Sequence, residues 1–95
     1  MQSRDVRLTL LTRAYCHLCD DMREALRPLI AGRTVELVEL DVDDDPELEE
    51  RFGDLVPVLI DGTPADGRTL CHYRLDRDAV RDALAARPTP RGGIA

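Results

Sequence analysis

The chain has 95 residues, a length that holds one domain with a single core and leaves no room for a second. Hydrophobic residues at 43% and charged residues at 34% are the proportions of a soluble globular chain, and with Trp absent and only Tyr15, Phe52 and Tyr73 aromatic, the core has to be aliphatic. A net charge of −6, with the acids crowded into residues 36–54, argues against non-specific attraction to nucleic acid or to an anionic membrane, and leaves proteins or small thiols as the expected partners. All thirteen basic residues are Arg, a compositional bias with no mechanism attached.

The run Leu8, Leu10, Leu11 near the start is too short for a signal peptide or a membrane span, so a cytoplasmic protein is expected. Residues 6–12 (Val-Arg-Leu-Thr-Leu-Leu-Thr) alternate and then become continuously apolar, which predicts a first strand covered on both faces. From Cys16 the spacing turns helical: Cys19, Met22, Leu26, Leu29 and Ile30 share a face, with Asp20, Asp21 and Glu24 early and Arg27 late, the order the macrodipole favours. Pro28 predicts a kink or an end, and Gly32 the final stop. Residues 34–40 are β-branched and apolar and predict a second strand, joined to the first through a helix in a right-handed βαβ unit with parallel pairing.

Asp41 to Asp45 then supply a turn, with Asp45 as N-cap and Pro46 at the first position of a short helix over 46–52, closed by Gly53. Residues 56–60 predict a third strand entered through Pro57. Two Asp-Gly pairs follow, at 61–62 and 66–67. A loop over 61–68 leading to an antiparallel fourth strand over 69–74 is expected, with a two-residue turn as the alternative. Asp76 caps a last helix, with Asp78 in its first turn and Leu75 placed to staple onto Val80; Ala79, Val80, Ala83 and Leu84 make its inward face, to about residue 87. The domain is thus expected over 1–87, with residues 88–95 a disordered tail.

The chemistry centres on Tyr15-Cys16-His17-Leu18-Cys19-Asp20, where the strand pattern gives way to the helical one. Three cysteines, two of them in a Cys-x-x-Cys pair, do not make a secreted disulfide framework; in a reducing compartment such a pair is catalytic or metal-binding. At a helix start the unpaired N–H groups and the positive end of the macrodipole favour a thiolate, and i, i+3 spacing brings the two sulfurs within bridging reach. Cys16, at the helix end and nearer solvent, is therefore the expected nucleophile, and Cys19, one turn in, the resolving thiol. His17 as imidazolium would lower the thiolate pKa, whereas Asp20 and Asp21 would oppose it.

The order βαβαββα, with Cys-x-x-Cys opening the first helix and Val-Pro opening the third strand, resembles the glutaredoxin and thioredoxin superfamily. The likeness is strongest to small glutaredoxin-like proteins, carried by Tyr-Cys-His-Leu-Cys-Asp, Asp-Val-Asp-Asp-Asp-Pro-Glu-Leu and Arg-Phe-Gly-Asp-Leu-Val-Pro-Val-Leu. It implies an α/β thioredoxin fold, a four-stranded mixed sheet flanked by three helices. It also implies a monomeric thiol–disulfide oxidoreductase that reduces protein or small-molecule disulfides without a metal or organic cofactor, drawing on glutathione or a thioredoxin-type reductant. By the same resemblance Pro57 is cis and faces the nucleophile, Val56 offers its backbone to an extended substrate, and Arg13 stands where such proteins carry a basic residue near the thiolate. With Tyr15 and His17 these form the expected substrate-binding set. The Gly-Gly pair that holds glutathione in much of that superfamily is missing from Cys71-His72-Tyr73-Arg74-Leu75-Asp76; Asp76 alone fits, and Arg74 with Asp76 could substitute in part. Two rival readings differ in class. Cys16, Cys19, Cys71 and His72 make an inventory for zinc or an iron–sulfur cluster, against which adjacent strand residues point to opposite faces. The other rival is a thioredoxin-fold adaptor without catalysis.

Overall fold

A computed structural model describes residues 6–86; the expected tail at 88–95 lies outside them. In chain order the elements are β1 (Val6–Thr12), α1 (His17–Ile30), β2 (Val35–Asp41), a 3₁₀ turn (Val42–Asp44), α2 (Pro46–Phe52), β3 (Val58–Asp61), β4 (Arg68–His72) and α3 (Arg77–Ala86). The sheet order is β2-β1-β3-β4, with β1 parallel to β2 and antiparallel to β3, and β4 antiparallel to β3. This is the expected four-stranded mixed sheet with three helices.

β1 owes its central place to its sequence. Leu8 and Leu10 point to one face, where they meet Met22 and Leu26 of α1, Val80 and Leu84 of α3, and Leu59 of β3. Leu11 points to the other, with Val42, Phe52, Val58 and Ile60. Each of these Leu side chains is fully buried and contributes roughly 1.5–3 kcal/mol. Thr9 is the one buried polar residue among those described, and its hydroxyl is satisfied by donating to the Gly62 carbonyl at 2.7 Å.

Several boundaries differ from expectation for local reasons. α1 runs past Pro28 to Ile30: Pro28 and Glu24 both lie on the exposed face, so the lost hydrogen bond is on the solvent side, and the helix closes at Ala31 and Gly32 (φ 78°). β3 begins at Val58, two residues later than the apolar run, because the Val56–Pro57 bond is cis and breaks the extended path. β4 ends at His72 because Tyr73 takes a left-handed conformation, φ 65°, that no strand can continue. The β3–β4 connection is the longer of the two expected, with Asp61 paired to Arg68 and a register shift at Leu59/Ile60.

Candidate functional site

The β1–β3 register pairs Leu11 with Val58, so Pro57, which precedes β3, sits at the same end of the sheet as the chain leaving β1 toward α1. That chain turns sharply at Tyr15, whose φ of 59° is also left-handed, and delivers Cys16 as the N-cap of α1. Cys16 is in extended backbone, and its Sγ accepts the Cys19 backbone N–H at 3.1 Å. One sulfur thus stands where Ser, Thr or Asp would ordinarily cap a helix, against a donor that has no carbonyl partner.

Cys16 and Cys19 are joined as a disulfide with Cα atoms 5.2 Å apart. Their surroundings differ in the expected direction: Cys16 is partly accessible, whereas Cys19 is 1% exposed and lies one turn into the helix beside the Met22–Leu26 core. Tyr15, His17 and Leu18 are exposed around the pair. A cleft of about 590 Å³ opens beside Cys16, lined by Thr12, Tyr15, His17, Asp20 and Arg23 among others. On the other flank a groove of about 170 Å³ runs between Leu18 and Met22 of α1 and Tyr73 and Leu75.

The charges near the pair are largely committed. Arg23 donates to Glu39 at 2.6 Å and to Asp20 at 2.8 Å, and these two carboxylates, Glu39 foremost, raise its pKa. The acid nearest the cysteines in sequence therefore has its charge balanced within α1. Arg13, expected near the thiolate, directs its guanidinium to α2 and the turn before it: it contacts Asp43 at 3.1 Å and Glu49 at 2.8 Å and donates to the Gly53 carbonyl at 3.2 Å. Hydrogen bonds to Asp43 and then Glu49 raise its pKa. Arg13 lines the cleft together with Cys16, and its guanidinium ties the loop before Cys16 to α2 and the turn preceding it. The reason is proximity to acids that the thiolate position cannot match: residues 41–50 carry seven carboxylates.

Val56–Pro57 is cis, as the resemblance implied, and Pro57 is fully buried while Val56 packs against the Leu11–Phe52 cluster. The contact that holds this segment was missed in the sequence. Tyr73 donates its backbone N–H to the Pro57 carbonyl at 2.9 Å and its hydroxyl to the Asp54 carbonyl at 2.8 Å. Nothing in the sequence marks a tyrosine for a left-handed position, which Asn, Asp or Gly would have signalled. The groove along Tyr73 to Leu18 places the 73–57 contact on the same side of the molecule as the Cys-x-x-Cys helix start.

Residues 7–85 match the glutaredoxin-like domain family DUF836. The chain belongs to the glutaredoxin-like domain family. It is 33% identical over 88 residues to an uncharacterized protein of Mycobacterium tuberculosis, covering 86% of this chain and 91% of that one. Among solved structures it is similar to the structural-genomics protein XcR50 from X. campestris, with 41% identity, TM-score 0.64, and 85% and 99% of the two chains covered. It is also similar to protein Ne2328 from Nitrosomonas europaea, with 34% identity, TM-score 0.70, and 84% and 92% covered. Oxidized mitochondrial thioredoxin 3 from Saccharomyces cerevisiae, at 22% identity and TM-score 0.61 over 87% of this chain and 79% of that one, shares the fold. This glutaredoxin-like protein is therefore an α/β thioredoxin-fold domain carrying a Cys16–Cys19 pair at disulfide distance.

The remaining thiol and imidazole of this glutaredoxin-like chain lie elsewhere. Cys71 pairs with Leu59 across β3–β4 and packs onto the larger core cluster, where burial raises its pKa against a backbone hydrogen bond from Asp76 that lowers it. His72 is exposed and meets Tyr73 edge-on, ring centroids 4.6 Å apart. Among the described residues no three His, Cys, Asp or Glu side chains converge as metal ligands. Asp76 accepts the Ala79 N–H at 3.0 Å, so it caps α3 as expected. No helix among the described residues is long and apolar enough to cross a membrane.

Proposed function

We propose that this protein is a glutaredoxin-like thiol–disulfide oxidoreductase that reduces protein or small-molecule disulfides in the cytoplasm, as a monomer. The observation that supports it most is the asymmetry of one bonded pair: Cys16 is partly open to solvent with its sulfur at the helix N-cap, and Cys19 is sealed behind it. In the reduced protein the N-cap position favours the Cys16 thiolate. That thiolate attacks one sulfur of the substrate disulfide; the substrate S–S bond breaks, the departing sulfur takes a proton from solvent, and a mixed disulfide forms. Cys19 then gives up its proton and attacks the Cys16 sulfur, expelling the second substrate thiolate, which is protonated in turn. Two electrons and two protons have passed to the substrate, and the Cys16–Cys19 disulfide awaits an external thiol donor, glutathione or a thioredoxin-type dithiol.

Around the nucleophile, Tyr15 and His17 would contact the substrate, and Val56 would present its backbone beside cis Pro57. Arg13 would act on the loop through Asp43 and Glu49 more than on sulfur. The test is a pair of variants assayed with dithiothreitol, glutathione and thioredoxin as donors. Cys16→Ser abolishes turnover. Cys19→Ser still makes the first attack and accumulates mixed disulfides visible by mass spectrometry. Equal trapping by both variants would reverse the two roles, and a wild-type protein that reduces no disulfide with any donor would leave an adaptor.

A further inference from the structure

Between α2 and β3 the chain passes through residues 53–57 to reach the cis bond, and two side chains from outside that segment hold its carbonyls. The Gly53 carbonyl accepts from Arg13 and the Asp54 carbonyl from the Tyr73 hydroxyl. Both carbonyls lie past the last turn of α2, whose own closing bonds end at Glu49 and Phe52, and their donors come from elsewhere in the chain. Tyr73 holds the segment twice, since its backbone N–H also donates to the Pro57 carbonyl. It does so in a left-handed conformation, which a non-glycine residue keeps only when its surroundings dictate it. Here they are the two carbonyls and the edge of the His72 ring.

The two bonds grip the segment at Asp54 and at Pro57, with Val56 between them. We infer that Tyr73 is a positioning residue that sets the Val56 backbone for extended polypeptide substrates and so favours protein disulfides over small ones. The inference rests on the oxidoreductase reading above. A polypeptide running past Cys16 needs the main-chain groups of Val56 at a fixed place; a small disulfide has no main chain to offer them. Freeing the Asp54 carbonyl lets the segment move, so the loss falls on binding of the longer substrate. Arg13 holds the neighbouring carbonyl, but it is also an ion-pair partner of α2, so Tyr73 is where the effect can be isolated.

Tyr73→Phe removes the hydroxyl alone and keeps the ring and the backbone donor. Turnover is measured with insulin and with bis(2-hydroxyethyl) disulfide, both with dithiothreitol. The ratio of kcat/KM for insulin to that for the small disulfide falls about fivefold, the size of one lost hydrogen bond, and the fall sits in KM for insulin. Amides 54–56 exchange with deuterium faster in the variant, while that of Leu10 does not. Tyr73→Asn, which tolerates a left-handed backbone but cannot reach Asp54, gives the same fall. Turnover of both substrates with an unaltered ratio, or with equal losses, overturns this inference alone. Wild-type protein that turns over neither substrate overturns the oxidoreductase reading and this inference with it.

Discussion

Replacing Cys16 by Ser and by Ala separates two jobs done by one atom. The Cys16 sulfur accepts the Cys19 N–H at 3.1 Å, and Cys19 is 1% exposed, so water has little access to that donor if the acceptor is removed. Serine keeps an acceptor at the N-cap and is among the preferred capping residues, whereas alanine has none, a difference of about 0.5–2 kcal/mol in helices generally. Burial of the donor places this case in the upper half, about 1–2 kcal/mol, because the unsatisfied N–H carries its full desolvation cost. For a domain of this size that corresponds to a Tm lower by about 5–10 °C. Both variants lack the disulfide and the Cys16 thiol, so no cross-link distinguishes them. Urea and thermal unfolding, followed by far-ultraviolet circular dichroism in dithiothreitol, therefore read the cap directly. Equal stabilities within about 0.3 kcal/mol would refute the capping role, and with it the main ground for expecting a thiolate at that position.

Arg13→Met lowers stability, and Arg13→Lys fails to restore it because a single ammonium cannot span Asp43, Glu49 and the Gly53 carbonyl; added salt destabilises the wild type more than Arg13→Met in paired urea titrations. Cys71 has its folded-state pKa raised above the ordinary value of 9.0, mainly by burial, so between the unfolded and folded pKa values the native state holds the extra proton. Its contribution to stability is then constant below about pH 8 and falls as pH rises past the unfolded value, and Cys71→Ala flattens that fall in unfolding curves from pH 8 to 10.5. In the reduced protein at pH 7.5, iodoacetamide labels Cys16 well before Cys71, as peptide mass spectrometry would show. Leu26→Ala empties a site with no solvent exposure between α1 and the sheet and costs about 2–5 kcal/mol by urea unfolding.

Much of the architecture is legible because it depends on patterns that short windows carry. β1 matches its expected limits, and α2 does so at both ends because Asp45, Pro46 and Gly53 are local signals. The parallel βαβ half follows from the helical crossover between the first two strands, and the pairing of Cys16 with Cys19 from helical spacing. What stayed hidden depends on partners distant in sequence. The three acceptors of the Arg13 guanidinium lie 30 to 40 residues away, and no local signal announces them. Tyr73 falls near the end of the expected strand over 69–74, and its left-handed backbone stops that strand one residue earlier. The end of β3 nearest the site, where a cis bond replaces two expected strand residues, is likewise set by tertiary context and not by the apolar run of Val56 to Ile60.

β1 is hydrogen-bonded along both edges and covered on both faces, and the cysteine loop leaves directly from its end. Cys16 is thus mounted at the end of the part of the molecule least free to yield. On the proposed reading, room for differently shaped targets would come from the short chain between α2 and β3, with the tyrosine that pins it. On the proposed oxidoreductase reading, changes in that segment would alter which targets fit while leaving the sulfur chemistry where it is.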